Sequence, residues 1–355
     1  MSTQTNTRKF YLDVLRVIAM ILVLVNHLPV YTTYQYTNTL PKAFIYLFIT
    51  MFTRINVPLF FMISGSLLLS KDIGYKQLLT KRIPRFLAIL VLASVLQYFV
   101  YYWRFGSDYT YAFGIRDFIS RFFRAEVEFS YWFLYCYLAF LVMMPFLRRA
   151  AIAITRADVI YMLIIHCLLF SVLHAVNYFF DSSLYITDHF YIPFITEKAF
   201  FYPLLGFYLD QVLDIQQIKK KHLFSLLLTA LLGIFIASAF SYHQGITTGY
   251  TEEFVQMFDY TTAIFVFVFI KYLFANYPQL ESNAAVNSVI HWISSISIGV
   301  YLFDITLKST YSWLYAVVGQ PHDIIITGIW CVYSICICGG VTYCLKKLPV
   351  LKHIL

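Results

Sequence analysis

Residues 10–30 read FYLDVLRVIAMILVLVNHLPV, an apolar run long enough to cross a bilayer that nevertheless carries Asp13, Arg16 and His27. Eleven positions separate Arg16 from His27. At about 100° and 1.5 Å per residue, such a separation returns to within about 20° of the same helix face and climbs about 16 Å. Asp13, Arg16, Met20, Val23 and His27 therefore share one stripe of a predicted helix. A charged side chain at the centre of hydrocarbon costs upwards of about 2.5 kcal/mol, so aligned ionisable groups imply a polar cavity rather than a lipid-facing surface. The competing explanation is an Arg16 that snorkels to the interface and a His27 that is merely hydrogen-bonded.

The rest of the chain extends this reading. It is 60% apolar and 12% charged, with a mean hydropathy of +0.71, which excludes an ordinary soluble domain, where charged residues run near 25%. Spanning stretches are predicted near 10–30, 44–69, 84–103, 131–147, 159–180, 190–209, 223–242, 255–275, 289–307 and 323–345. The expected fold is all-α, a polytopic membrane protein of about ten helices in one domain over 1–355, its core at about 10–345.

A net charge of +8 suggests nucleic acid or acidic partners, but its distribution fits membrane orientation instead. With the N-terminus inside, the basic clusters at Arg8–Lys9, Lys76–Arg85, Arg148–Arg156, Lys219–Lys221 and Lys346–Lys352 fall on the cytoplasmic side, and both termini are expected there. On the outer side Arg104, Arg116, Arg121 and Arg124 mix with Asp108, Asp117, Glu126 and Glu128, a pattern that suits an amphipathic surface helix. A cleaved leader fits poorly, because Asp13 and Arg16 interrupt the hydrophobic run and no small-residue cleavage site follows. Six cysteines all lie in predicted helices without C-x-x-C spacing and read as buried apolar side chains.

Several segments carry chemistry. In TRINVPLFFMISGSLLL (53–69), Pro58 removes a backbone donor, and Arg54 and Asn56 are candidates to satisfy the carbonyl it frees. Arg54 is a candidate substrate-binding residue or an interfacial snorkeller. In KRIPRF (81–86), Arg82 and Arg85 stand at i and i+3 of what reads as a helix N-terminus, a place that suits phosphate through free N–H groups and guanidinium forks. Lys81 reads as a positive-inside residue. Trp132 opens the fourth segment, where an aromatic belt accounts for it as well as substrate contact does. Glu197 and Lys198 are an adjacent opposite pair that either neutralises itself or lines an acceptor groove. His166 and His174, eight apart, are poorly placed for joint metal ligation, and no metal site is expected. Asp304 lies inside ISSISIGVYLFDITLK (293–308) and needs a proton or a partner, for which Lys308 is the local candidate.

Together these residues resemble the membrane acyltransferase 3 family over nearly the whole chain. The resemblance rests on Leu12-Asp13-x-x-Arg16 followed by His27, then Arg54-x-x-x-Pro58 leading to Ser64-Gly65, Lys81-Arg82-x-x-Arg85, Tyr131-Trp132-Phe133-Leu134, Leu205-Gly206 and Ser297-Ile-Gly-Val-Tyr301-Leu. It implies O-acyl transfer from a cytoplasmic acyl-CoA, usually acetyl-CoA, to a hydroxyl of an envelope polysaccharide or lipid-linked sugar. The family's essential arginine and histidine fall on Arg16 and His27, and its basic pair on Arg82 and Arg85. Many members carry histidine where this chain has Asp304.

The expected mechanism places Arg16 about 9 Å and His27 about 25 Å along the first helix from Phe10. Arg82 and Arg85 hold the donor's phosphates, Arg16 lines the channel with Asp13 orienting it, and neutral His27 takes the proton of the attacking hydroxyl. Asp13, Arg54, Trp132, Glu197 and Asp304 are the substrate-binding candidates. Acyl-CoA is expected as substrate rather than tightly bound cofactor, with membrane lipids as surroundings and no nucleic acid. An exporter or flippase of an envelope glycan is the alternative, since a polar core also suits transport, although no inverted repeat is evident.

Overall fold

A computed structural model describes residues 8–28, 40–105, 113–180, 192–248, 257–308 and 324–347, together with Trp313 and residues 316–317. Asp108, Lys352 and the side chain of Arg104 lie outside the described residues. The described elements are all helical: α1 (Phe10–Asn26), α2 (Leu40–Thr53), α3 (Asn56–Leu68), α4 (Ile83–Phe105), α5 (Ile115–Phe123), α6 (Trp132–Ala153), α7 (Arg156–His166), α8 (Leu173–Phe179), α9 (Lys198–Phe207), α10 (Lys220–Thr248), α11 (Asp259–Asn276), α12 (Ala284–Leu307) and α13 (Ile324–Leu345).

Seven stretches are long and apolar enough to cross a membrane: 41–68, 75–103, 129–153, 156–177, 220–244, 284–307 and 325–345. The protein is a multi-pass membrane protein. Three further predicted spans, carried by α1, α9 and α11, fall outside that set. Buried charge lies on or beside each of them. Asp13 on α1 and Asp259 on α11 are buried, and so are Lys271 on α11 and Asp210 just beyond α9. Each of these groups has at least one polar partner inside the bundle. Lys271 donates to the carbonyls of Leu209, Asp210 and Leu213 at 2.8, 2.9 and 3.1 Å, closing the helix end that follows α9. Asp210 accepts from Lys9 at 2.9 Å. Asp259 accepts from Tyr202 at 2.6 Å and faces Lys198 at 3.7 Å. Lys198 thus pairs with Asp259 and not with its neighbour Glu197.

At the centre of the bundle α1 touches α2, α3, α11, α12 and α13. The closest helix pair is α3 with α9, and two glycines explain it. A Cβ on Gly65 would fall 2.0 Å from the Pro203 carbonyl oxygen, and one on Gly206 would fall 2.1 Å from that of Met62. The backbones meet because neither residue has a side chain, the small-residue packing favoured between membrane helices. Ser66 seals the crossing by donating to Met62 and to Gly206, both at 2.9 Å.

Two expectations about helix ends are corrected. The chain breaks between α2 and α3 at Arg54–Ile55, so Pro58 occupies the first turn of α3, where a missing N–H costs nothing. Asn56 accepts from the Val57 N–H at 2.5 Å instead of serving a carbonyl freed by Pro58. Upstream of α4 the helix begins at Tyr75 and passes through a wide π-turn at Leu78–Arg82. Arg82 and Arg85 therefore sit inside a continuous helix, and the N-terminal dipole argument does not apply to them. Pro84 has no N–H for the Thr80 carbonyl, and the wide turn immediately before it absorbs the mismatch.

On the far side α5 is the amphipathic helix that the mixed charges suggested: Ile115, Ile119 and Phe123 are exposed along one face, and Asp117 ties it to α4 and to Arg121 at 2.8 and 2.9 Å. Of the cysteines only Cys331 and Cys338 are buried; Cys336 and Cys344 are exposed, because α13 lies at the rim with one face toward lipid.

Candidate functional site

Both ends of the polar stripe of α1 are met by polar residues of α12, which runs parallel to it. Near the basic end, buried Asp13 accepts from Arg8 at 2.6 and 2.9 Å and from Ser294 at 2.7 Å. Arg16 reaches the same carboxylate at 3.2 Å and donates to Ser294 at 2.9 Å, and His291 approaches it at 3.0 Å. Asp13 thus fixes the Arg16 guanidinium between two helices. About four turns further along, His27 closes the C-terminus of α1, its backbone N–H donating to the Val23 carbonyl at 2.9 Å. Its Nδ1 lies 3.0 Å from Asp304 Oδ2, and Ser334 of α13 donates to Asp304 Oδ1 at 2.9 Å. The expectation that Lys308 balances Asp304 is corrected: Asp304 is buried against α1 and α13, whereas Lys308 stands exposed past the end of α12.

Between α1, α3, α4, α6 and α12 lies a cavity of about 510 Å³. Its basic mouth is made by Lys81, Arg82 and Arg85, Arg16 stands further in, and Val57, Phe60, Phe86 and Phe133 are among its apolar walls. Lys346 stands close enough to Arg85 to feel its charge and donates to the Ser295 carbonyl at 2.6 Å. Burial, and then the nearby Arg85, pushes the pKa of its ammonium down. The inner end reaches Tyr301, whose ring centroid is 6.2 Å from that of His27. Val23, one turn before His27, also lines it, so the imidazole stands one side chain beyond the lining. A family model described as an acyltransferase domain matches residues 9–345.

The chain belongs to the acyltransferase 3 family.

No curated protein and no solved structure matches it. As a family member it is a membrane acyltransferase, consistent with transfer of groups other than aminoacyl. Of the residues singled out in this acyltransferase's sequence, the fold brings Arg16, Arg82 and Arg85 to one cavity, with Asp13 holding Arg16 and His27 adjoining the inner end. Arg54 is half-buried at the break between α2 and α3 and is not among the residues lining the cavity. Trp132 and Glu197 stand at the starts of α6 and α9, outside the cavity lining. Trp132 lies under the Lys198 ammonium, 6.0 Å from ring centroid to nitrogen.

Sequence reasoning missed His291, Ser294 and Ser334 as partners of the stripe, undervalued Lys81, and overlooked Tyr137 in the cavity wall. The spacing of His291 and Ser294, three apart on the helix bearing the Ser297–Tyr301 motif, was an available signal. Ser334 lies on another helix, in a run that carried none.

Proposed function

We propose that this acyltransferase moves an acyl group, acetyl in the simplest case, from a cytoplasmic acyl-CoA to a hydroxyl of an envelope polysaccharide or lipid-linked sugar. One observation carries the reading: a cavity that opens between Lys81, Arg82 and Arg85, passes Arg16 and ends at Tyr301 beside His27. Guanidinium forks match phosphate oxygens, so the mouth suits the nucleotide end of the donor. The largely apolar interior suits its pantetheine arm and thioester. Arg16, anchored by Asp13, lies along that path, and in this role Asp13 serves the donor by holding Arg16.

His27 would act as general base. Its Nε2 takes the proton of the acceptor hydroxyl as the new O–C bond forms, the C–S bond breaks, and the same nitrogen returns the proton to the leaving thiolate. Arg54, Trp132 and Glu197 are the residues left to meet the acceptor. In the same reading α1, α9 and α11 complete ten crossings within one domain over 1–355, with both termini in the cytoplasm and the protein in a bacterial inner or plasma membrane, as the basic clusters favour. Nothing supports the export alternative over group transfer.

Incubating purified protein with radiolabelled acetyl-CoA and candidate envelope glycans tests the reading. His27→Ala is expected to abolish transfer while the protein remains helical and monodisperse in detergent. Transfer that survives His27→Ala removes His27 from the mechanism, and a protein that neither binds nor consumes any acyl-CoA overturns the donor assignment.

A further inference from the structure

We propose that Asp304 is the positioning residue of the transfer reaction, holding His27 through Nδ1 so that Nε2 is the nitrogen that exchanges protons with acceptor and donor. The proposal rests on His27 being the base, and it adds what sets that base's tautomer and direction.

Three observations carry it. The first is the pairing itself: Nδ1 to Oδ2 is 3.0 Å, with the Asp304 side chain 1% exposed and that of His27 15% exposed. With Asp304 ionised, its oxygens only accept, so neutral His27 carries its proton on Nδ1, which leaves the Nε2 lone pair available. The second is the way the carboxylate is held. Its other oxygen accepts from Ser334 at 2.9 Å, and the surroundings are the apolar packing of α1, α12 and α13, including Met20, Leu24, Ile296, Val300, Cys331 and Cys338. The third is the lack of a permanent counter-charge: among the described residues, no lysine or arginine bridges Asp304. When Nε2 takes a proton, the imidazolium and the carboxylate form an ion pair in a poorly solvated place. That geometry stabilises the charge which exists only during the reaction.

The proton accounting is closed. Nδ1–H remains on His27 throughout, hydrogen-bonded to Asp304, which is never protonated. The hydroxyl proton moves to Nε2 as the acceptor oxygen bonds to the thioester carbon, and from Nε2 to sulfur as the C–S bond breaks.

The test uses full-length protein in detergent, with ¹⁵N-labelled histidine and an acetyl-transfer assay. In wild-type protein the His27 signal, identified by its loss in His27→Ala, is expected to show the Nδ1–H tautomer. Asp304→Asn is expected to shift it toward Nε2–H and to lower kcat by roughly 10²-fold to 10³-fold, with KM for acetyl-CoA changed less than about threefold. Asp304→Glu, which keeps the carboxylate, is expected to recover at least about tenfold of that loss. A wild-type Nε2–H tautomer, or an Asp304→Asn enzyme within about threefold of wild-type kcat, overturns the proposal. Should Asp304→Asn not fold, the wild-type spectrum alone decides, and Ser334→Ala is expected to lower kcat in the same sense by about threefold to tenfold. Full activity of His27→Ala with the Nδ1–H tautomer present in wild type would overturn the general-base reading while leaving the pairing intact.

Discussion

Two buried carboxylates on the α1–α12 seam are treated in opposite ways. Asp13, near the basic end, is surrounded by donors: two guanidiniums, a hydroxyl and an imidazole. Asp304, at the other end, has one imidazole and one hydroxyl. Arginine is charged at every accessible pH, so Asp13 keeps two permanent counter-charges, Arg8 and Arg16, whatever the state of His291. An imidazole can take up and release a proton where a guanidinium does not, so the Asp304 pair, which has no lysine or arginine in it, can change state. The difference teaches that one helix pair can hold a charged group still at one end and exchange a proton at the other, with the number of permanent cations deciding which.

The largest effect is expected for His27→Ala: a fall in kcat of about 10³-fold or more, read in the acetyl-transfer assay with binding of acetyl-CoA retained. A small loss would place no chemistry at the far end and collapse the contrast. Next comes Arg16→Ala, expected to cost about 10²-fold in kcat/KM, with Arg16→Lys recovering only part because a lysine cannot bridge Asp13 and Ser294 with the same planar fork. Asp13→Asn is expected to cost about tenfold, mainly in KM for acyl-CoA, since it loosens Arg16 without touching the base. A loss confined to kcat would show that both carboxylates serve the proton and would erase the distinction. Arg82→Ala and Arg85→Ala are each expected to raise KM for acyl-CoA by about tenfold, more strongly at low ionic strength, and to leave kcat within about twofold. The smallest change is expected for Ser294→Ala, about threefold or less in kcat/KM, because Arg8 and Arg16 still hold Asp13.

The membrane class, and the stripe that organises the site, were legible in α1 because helical periodicity fixes which side chains of one helix share a face. The facing helix was not, since the register that sets His291, Ser294 and Asp304 against Asp13, Arg16 and His27 is decided by packing between segments far apart in the chain. Lys308 illustrates the error: one turn from Asp304 in sequence, it extends away from the interior that Asp304 faces. The helix starts misled for a related reason. Pro58 and Pro84 look alike in sequence, yet one opens α3 after a break and the other rides a continuous helix through a π-turn, a choice made by the neighbours each segment must meet. Gly65 and Gly206 were visible as motif residues, but that they face each other's helices required the fold.

That crossing has a further consequence. One wall of the cavity belongs to α3, through Val57, Phe60, Ser64 and Leu68, and the opposite side of α3 is locked to α9 backbone against backbone. A side chain at such a contact can change rotamer to make room, whereas a peptide plane cannot. The α3 wall is therefore the stationary side of the cavity. On the proposed donor assignment, any widening of the mouth falls to α4, where the π-turn at Leu78–Arg82 interrupts the regular helical ladder beside the arginines.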